Sequence, residues 1–153
     1  AVRAGQVDAG VIIHEGQLTF EEEGLVEVVN LGRWWASQHD GLPLPLGGNV
    51  VRRDLDPELQ VALTRATRDS IVWALEHRDE ALSFAMKHAR GLDRGKADRF
   101  VGMYVNARTV DYGPDGVEAL RRFLHLLHAR GIIDHAAPLD LVELEPHVGE
   151  RAA

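Results

Sequence analysis

The sequence predicts an α/β fold, and two observations carry that prediction. Over the first 55 or so residues, short runs rich in β-branched residues alternate with short helical stretches. From Asp56 onward the pattern changes to helices alone, four in succession. The expected order is strand, helix, strand, helix, a crossing strand, then four helices.

Val7 to Ile13, "VDAGVII", is the first expected strand, with Asp8 its only charge. A continuous apolar run rather than an alternating one predicts a strand covered on both faces, as in a parallel sheet. Thr19 to Gly24, "TFEEEG", reads as a short helix with Thr19 as its cap and glutamates at its positive end. Leu25 to Leu31, "LVEVVNL", is the second expected strand, and "GRWWASQHDG" (Gly32 to Gly41) a short helix between glycines. Of Trp34 and Trp35, adjacent on that helix, one is expected in the core and the other at its rim. "LPLPLGGNVVRRDL" (Leu42 to Leu55) is extended. Its closely spaced prolines exclude a paired central strand until Asn49 to Arg52.

Asp56 followed by Pro57 predicts a capped helix start. Leu59, Leu63, Ala66, Ser70, Trp73 and His77 then form its stripe. Further helices are expected from Arg78 to Ala89, ending at Gly91, and from about Gly95 to Val105. The clearest runs from Pro114 to Gly131, with Val117, Leu120, Leu124 and Leu127 on one face. The tail from Pro138 becomes polar and is expected to fray. Three strands are too few to complete a covered sheet, and the first would leave an open edge.

Composition bounds the function. A chain of 153 residues is long enough for one domain with a core. A net charge of −7 without a basic patch argues against a nucleic-acid binder held by phosphate contacts. No apolar run has the length of a membrane-spanning helix. The absence of cysteine excludes disulfides, zinc–thiolate sites, cysteine-ligated clusters and cysteine nucleophiles. It fits a cytoplasmic location and would fit a secreted one. The N-terminus has no Met, no basic region and no apolar core of a signal peptide. "AVRAG" reads as the last turn of a helix capped by Gly5, so the chain is expected to begin inside a larger protein.

His14 is the leading candidate for chemistry. It ends the first expected strand in "IIHEGQ", where open α/β sheets bind ligands. Imidazole is the side chain suited to moving protons near neutrality. The plainer alternative is a histidine that only holds a loop. Glu15 can orient the ring or bind substrate, or be a solvated loop carboxylate, and Gly16 would allow close approach of a ligand or another backbone. "PLGGN" contributes Gly47, Gly48 and Asn49, either as a hinge touching ligand or as a sheet bulge. His125 and His128 have metal-compatible spacing but no carboxylate to complete a ligand set, so a solvated face is the reading for them. "YVNARTVDYG" (Tyr104 to Gly113) either lines a cleft or packs as a connector. Phosphate loops, dinucleotide fingerprints, HExxH and nucleophile elbows are absent from the sequence.

"VDAGVIIHEGQLTFEEEGL", "NLGRWW", "GLPLPLGGNVVRRDL" and "MYVNARTVDYG" closely resemble the C-terminal part of the 1,4-dihydroxy-6-naphthoate synthase family. The resemblance reaches to about Leu141, and the family's N-terminal region has no counterpart here. It implies a two-lobed fold like that of type II periplasmic binding proteins. Residues 1–48 would then be part of the second lobe with its crossing segment. Residues 49–153 would be the return strand and the helices packing on the first lobe. It also implies a carbon–carbon lyase that converts cyclic dehypoxanthine futalosine to 1,4-dihydroxy-6-naphthoate in menaquinone biosynthesis. The family's catalytic histidine falls on His14 as general base. The expected partner is a small-molecule substrate, with no metal or organic cofactor. The 153 residues alone would be inactive, because one wall of the cleft is missing. A solute-binding protein of a transporter shares the implied fold. The chorismate dehydratase of the same pathway shares it too, and His14 weighs against that one.

Overall fold

A computed structural model describes residues 1–88 and 93–144. A single 3-10 turn, Val2–Ala4, opens the chain, and Gly5 closes it at φ 63° as a left-handed cap. Among the described residues seven α-helices follow: α1 Gly16–Thr19, α2 Leu31–Gln38, α3 Pro57–Glu76, α4 Arg78–Met86, α5 Arg94–Tyr104, α6 Ala107–Val110 and α7 Gly113–Ala129. No described helix is long and apolar enough to cross a membrane.

The α/β expectation is corrected here, and with it the periplasmic-binding-protein-like architecture. Among the described residues there is no strand and no sheet. Residues 7–13, 25–29 and 43–52 are non-helical, but none is joined to another by a backbone ladder. A strand exists only as a hydrogen-bonded pair, whereas β-branched composition records only suitability for a pleated surface. Nor are these runs covered. Val11 is 78% exposed, Val28 84% and Val50 96%. Continuous apolar character predicts burial on two faces, and these segments have neither face buried.

At Asp56 with Pro57, and at Gly131, expectation and structure agree. The Asp56 carboxylate accepts from the Glu58 N–H at 2.9 Å, with Pro57 in the first turn of α3. Asn30 caps α2 through the Arg33 N–H, and Asp93 caps α5 through the Lys96 N–H. Gly131, at φ 66°, ends the last turn with its N–H on the His128 carbonyl. Two boundaries shift. Thr19 ends α1 instead of starting a helix, and residues 20–24 form turns closed at Gly24. α4 is described to Met86, so the expected stop at Gly91 lies outside the described residues.

α3 packs against α4 and α6, and α4 against α5. The covered face of α3 is Val61, Thr64, Arg68, Ile71, Val72 and Leu75. The predicted stripe is the other one: Leu59, Leu63 and Trp73 are all more than two-fifths exposed. Both sets are spaced for one helical face, and α3 is apolar on both sides. α7 behaves as expected, with Val117, Leu120, Leu124 and Leu127 half-buried.

The buried apolar core is small. Among the described residues it comprises Trp35, Leu82, Ala97 and Ala119. The indole of Trp35 meets Phe123 edge-on at 5.5 Å and lies 3.8 Å from the His39 ring, joining α2 to α7. Trp34 faces outward at 53% exposure, so the expected division between the two tryptophans holds. The total accessible surface, 12,013 Å², far exceeds the roughly 7,700 Å² of a compact chain of 16.9 kDa. Length alone therefore overstated the core.

Candidate functional site

The turn that carries His14 begins where the extended run 7–13 ends. His14 has φ 60°, one of two non-glycine residues at positive φ among those described. The left-handed region costs a residue with a Cβ on the order of 1–3 kcal/mol, and neighbours must hold it there. Its carbonyl accepts the Gln17 N–H at 3.1 Å, and the Glu15 carbonyl accepts the Leu18 N–H at 2.8 Å. These bonds run straight into α1. A Cβ on Gly16 would lie 2.9 Å from Cγ2 of Ile12, so the glycine is explained by its own upstream neighbour.

The His14 turn is also held from far along the chain. Its backbone N–H donates to the Tyr104 hydroxyl at 3.3 Å, and Nε2 of Gln17 donates to the same oxygen at 3.0 Å. Tyr104 is the last residue of α5, and its ring packs on Phe100 with centroids 5.1 Å apart. At the other end of α5, Nζ of Lys96 donates to Glu22 at 2.8 Å. That hydrogen bond holds the Lys96 ammonium above its ordinary range. The segment from His14 to Glu22 is thus tied to both ends of one helix, whose rise between Lys96 and Tyr104 is about 12 Å.

The His14 imidazole is exposed and makes no hydrogen bond among the described residues; the same is true of the Glu15 carboxylate. The ring is therefore open to a substrate, and nothing on its own turn competes for its nitrogens. Gly47, Gly48 and Asn49 are exposed as well. A Cβ on Gly47 would meet nothing, whereas one on Gly48 would lie 2.9 Å from the Tyr112 hydroxyl. Asn49 makes no hydrogen bond among the described residues. His125 and His128 lie exposed on α7, and no group of three metal-ligating side chains forms among the described residues. An open depression of about 350 Å³ on α4 is lined by Asp79, Glu80, Ser83, Phe84 and Lys87, none of them an expected site residue.

Tyr104 meets the His14 turn and Tyr112 lies near Gly48; both fall in the stretch 104–113, expected either to line a cleft or to pack as a connector. The bonds within that stretch are dense. The Asn106 side chain accepts from the Arg108 N–H, and the Thr109 hydroxyl both accepts from the Asn106 N–H and donates to the Tyr104 carbonyl at 2.7 Å. Arg108 makes paired hydrogen bonds to Asp115 at 3.1 and 2.6 Å and reaches the Tyr112 carbonyl at 3.3 Å. Hydrogen bonding from Arg108 holds the Asp115 carboxyl below its ordinary range. The available signal was a polar, aromatic stretch between two helices with its own cap residue.

Residues 1–129 match a family model described as menaquinone biosynthesis. The chain belongs to this menaquinone biosynthesis family. It is 44% identical over 137 residues to a 1,4-dihydroxy-6-naphtoate synthase of Thermus thermophilus. It is 37% identical over 138 residues to the protein of the same name from Streptomyces coelicolor. Each match covers 90% of this chain and 49% of the relative. The chain therefore spans about half the length of these relatives. A crystal structure of protein AF1704 from Archaeoglobus fulgidus matches with a TM-score of 0.81 at 47% identity. That match covers 87% of this chain and 50% of the other. Menaquinone-family membership agrees with the family resemblance read from the "IIHEGQ" and "LPLPLGG" segments.

Proposed function

We propose that this chain forms part of a 1,4-dihydroxy-6-naphthoate synthase, a carbon–carbon lyase of menaquinone biosynthesis. Its substrate is cyclic dehypoxanthine futalosine and its product 1,4-dihydroxy-6-naphthoate. The observation that carries this reading is the identity of 37–44% to two synthases across 90% of the chain, His14 included in the matched span of the family. The geometry supports a role for His14 as base. Its backbone is pinned from two directions while its ring is exposed and unpartnered among the described residues.

In this reading His14 removes a proton from the bound substrate, and the electron pair released drives cleavage of the carbon–carbon bond. The sugar-derived piece leaves and the ring that remains becomes aromatic. A positioned base of this kind contributes on the order of 10²–10⁴-fold. Glu15, Gly47, Gly48 and Asn49 are exposed and are assigned to the substrate side of the site. No metal or organic cofactor enters the scheme. The location is cytoplasmic, where the substrate would be made.

The test is His14→Ala in protein of the relatives' full length that carries these residues. Turnover is expected to fall by at least about 100-fold, with substrate binding retained within a few-fold. Turnover near the wild-type rate removes His14 from the chemistry. The isolated 153 residues are expected to give no turnover; product formed by them would refute the assignment of the substrate site to a larger protein.

A further inference from the structure

We infer that Tyr104 and Tyr112 are positioning residues, through which one stiff connector sets both the His14 turn and the Gly48 loop. The inference rests on the proposed role of His14 and adds the residues that hold it in place. His14 occupies a backbone region that a side chain disfavours. Local bonds account for its carbonyl, whereas its N–H has no backbone acceptor among the described residues. The acceptor is the Tyr104 hydroxyl, 90 residues away in sequence, and Gln17 of the same turn donates to that oxygen as well. With both lone pairs engaged, the hydroxyl clamps the two ends of the turn to one atom.

The clamp is useful only if Tyr104 itself is fixed, and it is. Its carbonyl accepts from Thr109, its ring lies against Phe100, and Lys96 ties the opposite end of α5 to Glu22. From Thr109 the chain continues to Tyr112, whose carbonyl is held by the same Arg108 that pairs with Asp115. The Tyr112 hydroxyl lies 2.9 Å from where a Cβ of residue 48 would stand, so a side chain there would have to displace it. The His14 turn is thus bonded to one hydroxyl of this short segment, and the Gly48 backbone lies close to another.

The test uses Tyr104→Phe in protein of the relatives' full length. The phenyl ring keeps its packing on Phe100 and loses only the hydroxyl. The expected result is kcat lowered about 10- to 100-fold with KM changed less than about threefold. Amide hydrogen exchange in the peptide covering residues 12–18 should become faster. Phe100→Leu keeps an apolar contact for the ring and leaves the hydroxyl in place, so it should lower kcat by less than Tyr104→Phe does. Gly48→Ala forces the Tyr112 hydroxyl to move and should also lower kcat while the protein stays folded. Unchanged kcat and unchanged exchange in Tyr104→Phe overturn the inference, as does global unfolding of that variant, which would make the tyrosine merely structural. Full activity in Gly48→Ala overturns the Tyr112 half. If His14→Ala proves active, the functional reading fails, yet exchange in residues 12–18 still decides whether Tyr104 holds the turn.

Discussion

Trp35 offers the sharpest test of how this chain holds together. Its ring is 5% exposed and is the largest side chain among the few buried apolar residues described. Burying a tryptophan removes about 150–250 Å² from water, which at about 25 cal/mol per Å² corresponds to roughly 4–6 kcal/mol. The unfolded chain already hides part of that surface, so a loss of about 3–5 kcal/mol is expected for Trp35→Ala. Against a total stability of about 5–15 kcal/mol, that is enough to loosen α2 from α7. Trp35→Phe should lose less, because the indole N–H is buried without an acceptor among the described residues and its removal relieves an unmet donor. Trp34→Ala, on the exposed neighbour, should cost no more than about 1 kcal/mol. Urea denaturation followed by far-UV circular dichroism reads all three. Equal losses at positions 34 and 35, or a Trp35→Ala loss below about 1 kcal/mol, would refute the claim that this ring joins the two helices.

Two further perturbations address electrostatics and the connector. A hydrogen bond from Arg122 at 2.8 Å holds the Asp40 carboxyl below its ordinary range. A depressed folded pKa stabilises the native state above the unfolded value of about 3.9, and that stability is lost as pH falls through the folded pKa. Thermal melting between about pH 2 and 5 should therefore show a shallower acid decline in Asp40→Asn than in the parent; identical slopes would contradict this. Asn106→Ala removes the side-chain acceptor for the Arg108 N–H and should destabilise by about 1 kcal/mol in denaturant titration. It should also speed amide exchange across residues 104–112, and protection unchanged there would mean that the cap does not hold the connector.

What the sequence revealed was mostly local. Asp56 with Pro57, Gly5 and Gly131 announce helix ends because the chemistry of a cap lies within a few residues. Trp34 and Trp35 divide as a helix requires. The strands failed for the opposite reason. Whether "VDAGVII" becomes a strand depends on a partner elsewhere, and its composition shows only that it would suit one. The covered face of α3 was missed because the helix has two apolar faces, and periodicity does not say which one a neighbour occupies. At the candidate site, His14 was legible as the titratable residue that ends an apolar run. Its left-handed backbone was not, because histidine gives no signal for that conformation as glycine does.

The connector lies between these cases. Its internal bonds follow from neighbours in sequence: Asn106 to Arg108, Thr109 to Tyr104, and Arg108 to Asp115. A reader of the sequence can expect such a segment to be stiff. What cannot be read is which loops its tyrosines meet, because those contacts cross from position 104 to 14 and from 112 to 48. Gly48 shows why the two kinds of information need each other. In "PLGGN" the glycines can mark a hinge, a backbone that touches ligand, or a sheet bulge. The structure adds a close neighbour that the sequence does not announce: the Tyr112 hydroxyl, 2.9 Å from where a Cβ of residue 48 would stand, which any side chain there would have to displace.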